Sequence, residues 1–122
     1  MSDDSIRRIL WTSAFFNLGG ALLFAFPASI GSLAGLPAPV PTVYSMLIVL
    51  FVLLFGGSYA WVASQPTINR PMVALGAIGK AGAFVVVALC WLAGAVPALS
   101  VLAIAGDLVL AVLFARWLVA TA

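Results

Sequence analysis

Four apolar stretches, each close to the length that crosses a lipid bilayer, constrain this chain more than any other feature. They run over about residues 9–30, 42–63, 71–95 and 98–120. A helix rises ~1.5 Å per residue and needs ~20 apolar residues to span a hydrocarbon layer ~30 Å thick. In lipid every backbone polar group must be satisfied internally, which helices of this length achieve segment by segment. Composition closes the soluble option. Of the 122 residues, 66% are hydrophobic and only 7% charged, against roughly 25% charged in soluble domains. The expected fold is all-α: a polytopic membrane protein, a single four-transmembrane-helix bundle over residues 1–122.

The connections carry turn chemistry. The first holds Gly31, Gly35, Pro37, Pro39 and Pro41; the second is Ser64 to Arg70, with Pro71 suited to a first helical turn. The third, Gly94-Ala95-Val96-Pro97, is short enough to make the last two helices an antiparallel hairpin. Arg7 and Arg8 precede the first stretch as in a signal peptide, but that stretch is long and Asn17 interrupts it, so a retained helix is expected.

Arg7, Arg8, Arg70 and Arg116 fall on one side if the helices alternate, while the loops at 31–41 and 94–97 carry no charge. The positive-inside rule makes that side cytoplasmic, with both termini inside. Trp11, Trp61 and Trp117 fall near the inner interface, and Trp91 and Tyr44 near the outer one, as in an aromatic belt.

Several chemistries are excluded. There is one cysteine, Cys90, and no histidine, so no internal disulfide, no Cys/His metal cluster and no His-based catalytic pair exists in this chain. Residues 76–82, Gly-Ala-Ile-Gly-Lys-Ala-Gly, resemble half a phosphate loop. That motif needs glycine where Ala74 stands and serine or threonine where Ala81 stands, in a loop after a strand. No catalytic residue, metal or cofactor is expected. A net charge of +2 without a basic stripe gives no nucleic-acid face.

The polar residues left in the spans form the candidate site. Lys80 lies about nine residues into the third helix, roughly 14 Å deep, and Asn17 at nearly the same depth in the first. Asp107 sits roughly 20 Å from the end of the fourth helix, and Ser58 and Tyr59 are shallower. Glycines accompany them: Gly19 and Gly20, Gly56 and Gly57, Gly76 and Gly79, and Gly106. Small residues let helix backbones approach closely in lipid, so these seven glycines are expected at helix-packing faces. The faces through Lys80 (Gly76, Ala83, Val87, Cys90) and Asp107 (Ser100, Ala103, Ala111) are mostly small, which points both charges into the bundle. An unpaired charge at mid-bilayer costs about 2.5–3.5 kcal/mol on insertion scales. Lys80 and Asp107 are therefore expected to meet, with Asn17 as a third member. Such a pair either fixes helix register or marks a functional pathway. Arg116 is expected to reach the interface, and Arg70 to combine an orientation charge with a helix cap.

In length and four-helix hydropathy the chain resembles the small bacterial four-helix membrane proteins of DoxX-like type, a likeness that spans the whole chain. The strings Asn69-Arg70, Gly79-Lys80 and Gly106-Asp107 go with it. Small multidrug transporters share the size but depend on a first-helix glutamate, where this chain offers Asn17. Fluoride channels use a threonine-rich break in helix three, missing from residues 71–95. The resemblance implies a largely uncharacterised class, and no functional residue is carried over.

Two functions lead, ahead of a weaker enzymatic reading that would have to work with Lys80, Asp107, Tyr59, Ser58 and Asn17. One is an accessory or interaction subunit of a bacterial inner membrane, whose partners are lipid, other membrane subunits or a second copy of itself. The other is a small transporter, channel or apolar-ligand binder using the polar layer. A water-accessible pocket at Lys80 favours the second; a dry, closed Lys80–Asp107 contact favours the first.

Overall fold

The computed structural model describes residues 2–122. It contains four helices long and apolar enough to cross a membrane. They are α1 (Asp3–Ala25), α2 (Thr42–Ala63), α3 (Arg70–Leu92) and α4 (Ala98–Ala120), with a short 3-10 turn at Gly31–Ala34. No strand occurs among the described residues. Large apolar side chains such as Phe15, Ile78 and Leu102 stand exposed around the outside, the surface of a membrane protein.

The first helix is displaced toward the N-terminus from the expected 9–30. Ser2 caps it, its hydroxyl accepting from the Ser5 amide at 3.2 Å, and Asp3 and Asp4 occupy the positive end of the helix dipole. It stops at Ala25 because Pro27 disfavours helical geometry at Phe26, which caps the end with φ −127°. The third helix ends at Leu92, before the expected 95. Gly94 turns left-handed there (φ 80°), and the Ala95 amide reaches back to the Cys90 carbonyl at 2.8 Å. At the start of α3, Asn69 accepts from the Met72 amide at 3.1 Å.

The helices pack as two antiparallel hairpins, α1 on α2 and α3 on α4, with sparser contact between them. Both hairpins use the same devices. Arg7, at the start of α1, donates to the carbonyls of Ala63 (2.7 Å), Gln65 (2.5 Å) and Pro66 (2.8 Å), closing the end of α2. Arg70, at the start of α3, donates to Leu118 O at 2.8 Å and to the Thr121 hydroxyl, closing the end of α4. In each case a guanidinium fork satisfies orphan carbonyls and faces the negative end of a helix. Arg70 also lies 5.2 Å from the Trp117 ring. Trp117 itself is buried in the core.

The likeness extends along both hairpins. Arg7 and Arg70, Leu10 and Val73, and Asn17 and Lys80 share one separation of 63 residues. In the return helices Ser45 and Ser100, Val52 and Asp107, Tyr59 and Phe114, and Ala63 and Leu118 share a second constant offset. Ser45 donates to the Phe24 carbonyl, and Ser100 to the Ala34 carbonyl, bracing the far end of the bundle. Tyr59 and Phe114 meet edge to face, centroids 5.6 Å apart, where the hairpins join. The two hairpins thus repeat one another in these contacts and lie side by side.

The buried core lies at the end of the bundle that carries both termini, where Ile6, Leu10, Tyr59, Val62, Val73, Phe114 and Trp117 form one cluster. The arginine clamps border it. Replacing Arg7 by Lys, which offers a single ammonium in place of the fork, is expected to destabilise the protein by about 1.5–3 kcal/mol. Faster amide exchange confined to the last turn of α2 is the accompanying signature, and unchanged exchange there would refute the clamp.

Candidate functional site: a polar chain across the bundle

Local sequence brings the polar residues to one layer. Asn17 and Lys80 occupy equivalent positions in parallel helices of the two hairpins, and Asp107 faces Lys80 from the antiparallel α4. Lys80 Nζ donates to Asp107 Oδ1 at 2.7 Å and to Asn17 Oδ1 at 3.0 Å. Asn17 Nδ2 donates to the Val52 carbonyl at 3.0 Å. The bonds therefore run from α2 through α1 and α3 to α4, and one continuous chain ties all four helices. Only one orientation of the Asn17 amide serves both neighbours, since a carbonyl and an ammonium demand opposite ends of it.

The ammonium is enclosed. Lys80 is 3% exposed, and Nζ lies 5.0 Å from the Tyr59 ring centroid and 5.4 Å from that of Phe16. Two aromatic faces thus cover what the oxygens leave free, a favourable setting for a desolvated cation. Asp107 is nearly as buried, its side chain 12% exposed. The Lys80–Asp107 salt bridge is accordingly a buried contact inside the bundle.

The glycines divide. A Cβ on Gly76 would stand 2.8 Å from the Tyr59 ring and 2.9 Å from the Phe114 ring. One on Gly106 would meet the Phe16 ring at 2.5 Å, one on Gly56 the Asn17 Cβ at 3.0 Å, and one on Gly79 the Phe55 ring at 3.3 Å. Gly20 meets Val52 at ordinary contact, 3.7 Å. Gly19 and Gly57, expected at packing faces, are exposed with nothing within 4 Å. Each neighbours a packing glycine, and one step along a helix turns ~100° away from the interface.

Ser58 does not join the layer. Its hydroxyl donates to the Leu54 carbonyl at 2.7 Å within its own helix, and it lines a recess between α2 and α3. Arg116 is exposed on α4. Two participants carry no polar signal in the sequence: Phe16 and the Val52 carbonyl. Both belong to apolar residues in apolar runs. Ser13, one turn from Asn17 on α1, is fully buried with no hydrogen-bond partner among the described residues.

No family model, curated protein or solved structure matches this chain.

Proposed function

We propose that this small integral membrane protein is a non-catalytic interaction subunit of a bacterial inner membrane, with both termini on the cytoplasmic side. The observation that carries the reading is the closed polar chain. Every charged or amide group at mid-depth is bonded to another helix of the same bundle, and Lys80 is sealed by rings. A group that binds a passing solute needs a water-filled approach; a group that fixes helix register needs the reverse. The rigid bundle then presents a broad apolar exterior on α1, α2 and α4, with Phe15, Phe51 and Val109 among the exposed side chains. Orientation rests on the arginines, all of which lie toward the end that carries the termini.

Crosslinking in native membranes, followed by mass spectrometry of the tagged chain, tests this. The expected result is one membrane protein, another chain or a second copy, joined at reproducible positions in fixed stoichiometry. The same complex is expected to survive replacement of the buried pair by Lys80→Met with Asp107→Leu. Loss of the complex in a folded double variant would give the pair a functional role and overturn the reading.

A further inference from the structure

Between α2 and α3 the hairpins part and leave a recess of about 170 Å³. It opens toward the lipid-facing side, where Phe51 and Leu54 are 58% and 55% exposed. The short side chain of Ser58 on α2 leaves it open, while the space beside Gly76 on α3 is already filled by the Tyr59 and Phe114 rings. The repeated hairpin architecture shows what stands at the corresponding place in the other seam. Leu113 corresponds to Ser58 as its neighbour Phe114 corresponds to Tyr59. There the α2/α3 seam carries the smaller residue.

The lining is chemically particular. Phe51, Phe55 and Tyr59 contribute three rings, and Met72 a thioether. The Ser58 hydroxyl is turned to the Leu54 carbonyl, so it asks nothing of an occupant. Rings attract rings by edge-to-face and offset contact beyond the burial of area, and a thioether also favours a ring edge. An acyl chain gains only the area. Dry apolar cavities of about 150 Å³ take up benzene. We propose that the α2/α3 recess binds one aromatic ring of a lipid-soluble small molecule. The Tyr59 ring that forms part of this recess also lies beside the Lys80 ammonium. An occupant would therefore stack next to the polar chain without entering it. This goes beyond the subunit reading and does not depend on it.

The full chain in phosphatidylcholine vesicles is photolabelled with phenyl trifluoromethyl diazirine and the adducts are mapped by mass spectrometry. Expected is saturable labelling at Phe51, Ser58 and Met72. Toluene should reduce it at least about tenfold, and equal dodecane should not. Ser58→Leu, which installs the residue of the other seam, should abolish the saturable component. Leu75→Phe fills the recess from α3 and serves if Ser58→Leu does not fold. Three results would each overturn the proposal. One is labelling spread evenly over lipid-facing residues such as Leu102 and Val119. Another is equal competition by dodecane. The third is a recess closed to the probe by a ring from a second copy.

Discussion

Asp107→Leu is expected to destabilise the bundle by about 3–5 kcal/mol, the cost of leaving a buried charge without its partner. Lys80 would keep only Asn17 Oδ1 at 3.0 Å and two aromatic faces, at 3% exposure. The double variant Lys80→Met with Asp107→Leu is expected to return to within about 1–2 kcal/mol of the native protein. A buried ion pair and an apolar pair of similar volume are close in free energy, because desolvation of the charges cancels most of their attraction. Reversible unfolding in mixed detergent micelles, followed by helical circular dichroism, reads both numbers. Equal loss in the single and double variants would mean that the charge itself, and not its pairing, holds the helices.

The second large effect concerns Gly76. Gly76→Val is expected to cost about 1–3 kcal/mol, the range for overpacking a well-filled interior. A Cβ there meets ring atoms of Tyr59 at 2.8 Å and Phe114 at 2.9 Å, from opposite partners, so neither ring can yield without moving the other. Since Tyr59 also covers the Lys80 ammonium, the strain propagates to the polar chain. Gly57→Ala is the matched control. Gly57 has nothing within 4 Å, so the substitution is expected to be neutral or to stabilise by about 0.5–1 kcal/mol through lower unfolded-state entropy. If Gly76→Val and Gly57→Ala behave alike in the same unfolding assay, the junction of the hairpins is not close-packed.

Hydropathy made the architecture legible. Spans, turns and the short last hairpin follow from where apolar runs stop, because lipid forbids unpaired backbone. Helix ends were less legible. Residues 26–30 are apolar enough to extend α1, but Pro27 and the cap at Phe26 end it sooner. Equally, residues 3–8, all polar except Ile6, belong to α1 because capping by Ser2 extends a helix beyond its apolar run. Charge cost and helical periodicity alone led to the meeting of Lys80 and Asp107, since an unpaired charge at that depth is too expensive to leave.

By itself, then, the sequence determined a four-helix bundle for lipid and the need for Lys80 and Asp107 to find each other. Only the tertiary structure decided the rest. Asn17 bridges because its amide has two ends, and whether both find partners depends on where α2 and α3 lie. Gly56 packs and Gly57 does not because a turn of ~100° separates them, a distinction that composition cannot carry. The repeat of the two hairpins was hidden for a related reason. Their equivalent positions hold Asn17 and Lys80, or Val52 and Asp107, residues unlike in chemistry, and what the hairpins share is the place each residue occupies in the polar layer.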